Sequence, residues 1–431
     1  PVPGSVVSET VFPEIGVHQW RLSNGITVVA KPTTFKNDQV LFTAFSPGGT
    51  SQVSDDEYWS AYFASSIINT SGLADFSLVQ LEKLLSGENV SVSPYIAELT
   101  EGLSGSGSPE DLETLFKLIH LYITSPRKDE AAYASYMKRI RGYIRNRTAR
   151  PEYLFQDAIQ SAISRDHLRR KPLSVETLDK VELETAYRIY QQRFGDTDDF
   201  TFVFTGAFSV PLLKKLTTIY LASLPVLERT ETWKDHDIDF PEQKVKRTVT
   251  KGLEPKSYVA LLFGTDDFLW TRDREYLLDS LSEVLDIRLR KKISEEAGGT
   301  YNVQVRYSFQ KFPDNEYRID IIFGCDPRRV DELTSLVFEE ISALQEAPPE
   351  EETIAKVKEM QKRTYEVSLE KNEYWLSRLY HHFLYGSDPR MVLEYDSLVD
   401  SLSGEDISQI ANQVLSQETY VQVILEPEKT E

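Results

Sequence analysis

The sequence predicts an α+β fold in which one unit is used twice. Three observations carry this. The order strand, strand, helix, strand, strand, helices, strand runs through 17–206 and again through 245–425. Gly107-Ser108-Pro109-Glu110-Asp111-Leu112-Glu113-Thr114-Leu115 parallels Cys325-Asp326-Pro327-Arg328-Arg329-Val330-Asp331-Glu332-Leu333, with Ser/Asp-Pro opening a helix after a strand in both. Pro126 and Pro348 then follow that helix at similar distances. Strands that neighbour in sequence with short links pair antiparallel, so each of the two duplicated α/β units, about 200 residues long, is expected to be a mainly antiparallel sheet covered by helices.

The elements follow in order. Residues 1–16, PVPGSVVSETVFPEIG, have no basic stretch and no apolar run, and are expected to be an exposed linker rather than a signal peptide. A chain opening on a linker reads as a piece of something longer. The first domain is expected over 17–215. Asn24-Gly25 before a β-branched run is a hairpin signal, and a second strand follows at 39–45. A helix is expected near 57–70, strands at 89–94 and 96–106, a helix from 112 to about 123, three more helices over 127–194 and a strand at 200–206. The connector is expected at 216–240. The second domain, 241–431, repeats the pattern: strands at 245–249 and 258–263, a helix over about 271–295, strands at 301–309 and 317–324, helices over 327–416, and a last strand at 420–425.

Composition bounds the function. With 40% hydrophobic residues the chain can build sizeable cores, and a net charge of -20 disfavours nucleic acid and anionic lipid as partners. The single cysteine, Cys325, excludes an internal disulfide and a thiolate metal cluster. No run of apolar residues is long enough to span a membrane. The stretch Gly102-Leu103-Ser104-Gly105-Ser106-Gly107 lacks the lysine of a phosphate loop and lies where a strand is expected, so it reads as small residues permitting close strand packing. The basic run Lys138–Arg147 reads as a helix face neutralised by local acids or as a dock for acidic peptide.

This order, twice over, resembles the insulinase/pitrilysin family of zinc metallopeptidases and the related mitochondrial processing peptidase subunits. Three places carry the resemblance: Asn24-Gly25 with the following strand and the Ser46-Pro47-Gly48-Gly49 turn; the helix at 57–70; and Glu295-Glu296-Ala297-Gly298-Gly299-Thr300-Tyr301-Asn302-Val303 after a long helix. Family members that cleave peptides carry His-x-x-Glu-His on the helix matching 57–70. Two histidines four apart face one way and bind zinc, and the glutamate takes a proton from the metal-bound water. Here those positions fall on Tyr62, Ser65 and Ser66, and no histidine lies between His18 and His120.

The resemblance therefore implies a noncatalytic half of C-terminal type. No metallopeptidase activity is expected from this chain alone. Zinc is expected in a partner half, on the same parent chain or a separate subunit, and the two would enclose a peptide substrate. In the family the noncatalytic half lends a Tyr and, seven residues earlier, an Arg. Tyr301 matches the Tyr as the candidate substrate-binding residue, with a phenol able to donate to a developing oxyanion. The Arg position holds Ser294, a departure that puts the helper role in doubt. A catalytically inert scaffold of the same fold is the alternative function. The resemblance points to the periplasm, with the cytoplasm as the other compartment.

Overall fold

The structure, a computed structural model, describes residues 1–227, 229, 231–265 and 268–428, with the side chains of Glu296 and Tyr301 outside that description. The chain divides into two compact units. One comprises Pro1–Gly142, Val175–Lys234 and Tyr365–Glu394; the other comprises Tyr143–Ser174, Asp235–Thr364 and Tyr395–Glu431.

The first unit is built on a seven-stranded sheet. Its strands are β1 (Val6–Phe12), β2 (Val17–Leu22), β3 (Thr27–Pro32), β4 (Val40–Pro47), β5 (Val90–Ile96), β6 (Thr100–Gly107) and β7 (Thr201–Gly206), in the spatial order β1-β2-β3-β7-β4-β6-β5. The second unit holds β8 (Val245–Thr250), β9 (Ser257–Thr265), β10 (Thr300–Gln310), β11 (Glu316–Cys325) and β12 (Val421–Glu426), in the order β10-β11-β9-β12-β8. Taken from its other end, β8-β12-β9-β11-β10 repeats β3-β7-β4-β6-β5 strand for strand. In each sheet one pair is parallel, β3 with β7 and β8 with β12, and it falls at the same place. The remaining pairs are antiparallel. The fold is α+β and duplicated, as the repeat in the sequence requires.

The glycine-rich strand β6 is a packing device. A Cβ at Gly102 would lie 1.8 Å from the Ala44 carbonyl oxygen on β4, so only a residue without one fits there. In the core behind it, Phe204 on β7 stacks against Phe42 at 5.6 Å and Phe116 at 5.2 Å between ring centroids. Phe116 belongs to helix Leu112–Thr124, which buries Leu112, Leu115, Phe116, Leu118, Ile119, Tyr122 and Ile123. That spacing is the single apolar face of an amphipathic helix.

Two expectations about domain organisation differ from what is observed. Residues 6–12, expected within a 1–16 linker, form the edge strand β1, which pairs antiparallel with β2. Its interior residues are exposed, so it has no buried alternation for a sequence pattern to reveal. The expected cuts, 17–215, 216–240 and 241–431, also do not coincide with the compact units, because each unit takes a helix from the other stretch of chain. Helix Asn372–Tyr385 belongs to the first unit. It lays Trp375 and Leu379 on Ile15, Val17, Val29 and Val203. The buried Asn372 accepts from Thr33 Oγ1 at 2.6 Å and donates to Gln39 Oε1 at 2.9 Å. Helix Pro151–Ile163 belongs to the second unit, where Phe155, Ile159 and Ile163 pack on Ala260, Leu262, Val421, Val423 and Leu425.

Candidate functional site

The helix on which the resemblance places a metal site is α1, Tyr58–Ser71, and Gly72 ends it. Nearly every other residue of α1 is buried, while Tyr62 is 45% exposed. Tyr62 belongs to a chain of rings. Its centroid lies 5.0 Å from Phe63, 5.7 Å from Trp59 and 6.3 Å from Tyr58, and Phe63 in turn lies 6.3 Å from Tyr136. Ser65 is buried. Ser66 is half-buried and hydrogen-bonded to the Tyr136 phenol. The three positions share a helix face, one turn apart, as a two-histidine motif would. Their chemistry does not fit zinc: a phenol among aromatic rings and two neutral hydroxyls offer neither imidazole nor carboxylate. Among the described residues no group of three or more His, Cys, Asp or Glu is placed to hold a metal ion.

The histidines are engaged elsewhere. His120 Nδ1 lies 3.0 Å from the Tyr220 carbonyl oxygen, His381 Nδ1 lies 2.7 Å from the Ser377 carbonyl oxygen and His382 Nδ1 lies 2.8 Å from Ser387 Oγ. His167 Nδ1 accepts from the Arg169 amide, and His18 Nδ1 lies 3.6 Å from Glu9.

Just before α1, the Gly48-Gly49 turn is held by a buried group of charges. Gly49 has φ +61°, and a Cβ on it would meet the Ala97 carbonyl oxygen at 2.4 Å, so the turn demands glycine twice over. Its amide donates to Glu101 Oε2 at 2.5 Å. Glu101 is 1% exposed, and burial pushes its carboxyl up to about 8 against the pull of the Arg193 guanidinium and the Gly49 amide. Arg193, also buried, donates twice to Glu231, at 2.6 and 3.1 Å, and lies 3.9 Å from Glu101. Ser46 donates to Asp199 at 2.8 Å, and burial lifts Asp199 to about 6. Sequence reasoning missed this cluster. The one available signal was an acidic residue, Glu101, inside a strand of small residues.

In the second unit, helix Arg272–Leu289 follows β9 as α1 follows β4. Its Tyr276-Leu277-Leu278-Asp279-Ser280 echoes Tyr62-Phe63-Ala64-Ser65-Ser66. Here the Tyr276 phenol donates to Gln361 Oε1 at 2.7 Å. The Gln361 amide in turn donates to Ser280 Oγ at 3.0 Å and Glu283 Oε2 at 2.9 Å. Burial, helped by nearby Asp279, raises Glu283 to about 7.

The candidate substrate-contacting segment follows that helix. Residues Arg290–Glu296 form a π-helical turn, and β10 begins at Thr300. The Tyr301 backbone lies in β10 within the irregular pairing between Thr300 and Val303; its side chain is outside the described residues. Ser294 does not take up an arginine's place as an ion. Its hydroxyl donates to the Thr300 carbonyl oxygen at 3.2 Å, so it fastens the turn onto the strand. Arg288 is committed to Glu340 at 2.9 Å and Glu350 at 3.5 Å, and Arg290 to Asp286 at 2.8 Å. Neither arginine replaces the missing one in this arrangement. Three members of the basic run are engaged locally: Arg141 pairs with Asp179 at 2.7 Å, Arg147 with Asp157, and Arg139 lies over the Tyr136 ring.

Residues 180–361 match the family model of the Peptidase M16 inactive domain. The chain is 26% identical over 393 residues to "Zinc protease PQQL-like" of Arabidopsis thaliana, covering 88% of this chain and 39% of that protein. The match to the peptidase M16, or insulinase-like, family lies over residues 180–361, and similarity to zinc proteases extends over most of the chain. It spans about two fifths of the length of that curated relative. Among solved structures, the periplasmic protease PqqL from Escherichia coli superposes with a TM-score of 0.85 at 20% identity, over 99% of this chain and 47% of that one. The first half of the same protease gives a TM-score of 0.76 at 12% identity, over 98% of this chain and 93% of that one. Among the described residues no helix is long and apolar enough to cross a membrane.

Proposed function

We propose that this chain is the noncatalytic half of an insulinase-like zinc metalloendopeptidase. It pairs with a zinc-bearing half, on the same parent chain or as a separate subunit, and helps enclose a peptide substrate. The observation that carries the reading is α1: the positions that the resemblance matches to the zinc ligands hold Tyr62, Ser65 and Ser66. The fit of this chain to just under half of a periplasmic protease, better than its fit to that protease's first half alone, supports a second-half role. Zinc and its activated water then belong to the partner. Strand β10 stands at one edge of its sheet, the position at which an extended peptide adds a strand, and Tyr301 is the candidate donor to the reacting carbonyl. The periplasm is the proposed compartment, by analogy with that relative.

The test supplies the zinc-bearing half encoded with or beside this chain and follows cleavage of an unstructured peptide with and without a chelator. Each half alone is expected to be inactive, and the pair active and chelator-sensitive. Tyr301→Phe is expected to lower kcat with little change in KM. Full activity of the zinc half without this chain would overturn the proposal. Ser294 in place of the family's arginine favours the second reading, an inert scaffold, which predicts partner proteolysis unchanged on deletion of this chain.

A further inference from the structure

A groove of about 300 Å³ lies wholly within the first unit. The end of α1, helix Leu78–Leu84 and helix Glu130–Arg147 line it. Helix Glu130–Arg147 brings Ser135, Tyr136 and Arg139, with Ser135 and Arg139 one turn apart on one helix face. Helix Leu78–Leu84 brings Leu78 and Val79. The lining is therefore amphipathic, with hydrogen-bond donors from one helix and aliphatic carbon from the other.

Most polar groups of the lining are already committed. Thr70 and Ser71 donate to the Ile67 carbonyl oxygen of their own helix at 3.0 and 2.8 Å, and Ser77 closes a capping box with Gln80. Asp129 accepts from Arg127 at 3.0 Å and from the Ala132 amide at 2.9 Å. The Tyr136 phenol is bonded to Ser66. Ser135 and Arg139 remain. The Arg139 guanidinium lies 5.4 Å from the Tyr136 ring centroid and has no carboxylate partner among the described residues, and Ser135 has no hydrogen-bond partner among them. An arginine steadied by a ring instead of an acid keeps its donors for a ligand.

The apolar side is fixed in place. Gly72, at φ +89°, ends α1, and a Cβ on it would meet the Phe76 carbonyl oxygen at 2.1 Å. Leu73 and Phe76 exchange amide-to-carbonyl hydrogen bonds at 3.0 and 2.9 Å, and the Ala74 amide donates to the Ser125 carbonyl oxygen at 2.9 Å. This backbone holds Phe76 at 42% and Val79 at 59% exposure instead of letting them fold inward. Rigid, exposed apolar side chains beside an uncommitted cation are suited to capturing a partner.

We propose that this groove binds an extended acidic peptide in which aliphatic residues alternate with acids. Successive side chains of an extended chain point opposite ways, so one set brings carboxylates to Arg139 and Ser135 while the other covers Leu78 and Val79. The guanidinium and the neighbouring hydroxyl suit the two oxygens of a carboxylate. The net charge of -20 does not forbid an acidic ligand, because at 0.15 M salt fields are screened beyond about 8 Å and the local Arg139 decides. The inference goes beyond the half-peptidase reading and does not need it, since binding requires no zinc and no partner half.

Fluorescence anisotropy on the full chain at about 0.15 M salt tests it, with a labelled peptide of alternating leucine and glutamate as the probe. Saturable binding is expected. Glutamine in place of every glutamate, or serine in place of every leucine, is expected to weaken it about tenfold or more. Arg139→Gln and Val79→Ser are each expected to weaken it about fivefold, the size of one exposed ion pair or one covered aliphatic side chain. Both side chains are exposed, so an unchanged unfolding midpoint checks that the variants fold. Absence of saturable binding, equal binding of the glutamine peptide, or binding indifferent to both variants would overturn the proposal. Dimerisation through Arg139 in place of peptide binding would overturn it too, by giving the groove a different occupant. The assay contains no zinc-bearing half, so its failure leaves the pairing test untouched, and a failure of pairing leaves this binding intact.

Discussion

Trp375→Ala tests whether a helix from the second stretch of sequence stabilises the first sheet. Trp375 is 5% exposed, packs in the cluster with Val17, Val29 and Val203, and donates its Nε1 hydrogen to the Leu369 carbonyl at 2.8 Å. Truncating a buried tryptophan costs about 3–5 kcal/mol, because transfer energy is lost and a cavity remains. Lys31 adds to this. Its ammonium lies 3.9 Å from the Trp375 ring centroid and donates to the Ile15 carbonyl at 2.5 Å, so a cation–π contact of about 1–2 kcal/mol goes with the ring. The expected loss is about 5 kcal/mol, comparable to the whole stability of many domains. Urea unfolding should show the midpoint fall with little change in slope. Hydrogen exchange then locates the damage: protection is expected to drop in β3 and β7 and to hold in β9 and β12. A loss under about 1 kcal/mol, or damage confined to β9 and β12, would refute the assignment of this helix to the first unit.

Other consequences are equally direct. Lys31→Met is expected to be neutral or stabilising near pH 7. Burial alone lowers the Lys31 ammonium to about 8, a cost that is present below that pH and fades toward the ordinary lysine range; chemical denaturation at two pH values reads it. Gly102→Ala is expected to destabilise by about 3 kcal/mol or more, because the new methyl meets the Ala44 carbonyl oxygen; thermal unfolding checks it. Glu283 has a folded-state value of about 7 against an ordinary 4.5, so the folded state holds its proton longer. Stability from this group is full below about pH 4.5 and is lost as pH rises toward 7, with a slope of at most about 1.4 kcal/mol per unit; Glu283→Gln should remove that slope in pH-dependent unfolding. Metal analysis of the purified chain is expected to find no stoichiometric zinc.

The sequence made the sheets legible because the signals were local. Asn24-Gly25 marked a hairpin, small residues in β6 marked close backbone approach, and Ser/Asp-Pro after a strand recurred in both stretches. What stayed hidden depends on partners distant in sequence. Trp375 looks like any apolar residue of an amphipathic helix, and nothing within its own helix says that its neighbours are Val17 and Val29. The edge strand β1 is exposed on both faces and shows no period of two, so its sequence looks like linker. The Glu101 cluster gathers charges from positions 101, 193, 199 and 231, which no spacing rule connects.

The positions that the resemblance matches to metal ligands lack more than donors. A functional zinc site keeps its imidazoles and its open coordination position free of competing protein contacts. On α1 the same positions are built into the protein: Tyr62 is packed among Tyr58, Trp59 and Phe63, and Ser66 is bonded to the Tyr136 phenol. The turn that leads into the helix is meanwhile held tightly by Gly49 and Glu101. The helix and its leading turn are thus firmly built, and the face that the resemblance assigns to the metal is ordinary aromatic packing. Restoring one ligand would disturb that packing without assembling a site. Under the proposed pairing with a zinc-bearing half, the contribution to proteolysis is expected from surfaces other than α1, and the segment from Ser294 through Tyr301 into the edge strand β10 is where to measure it.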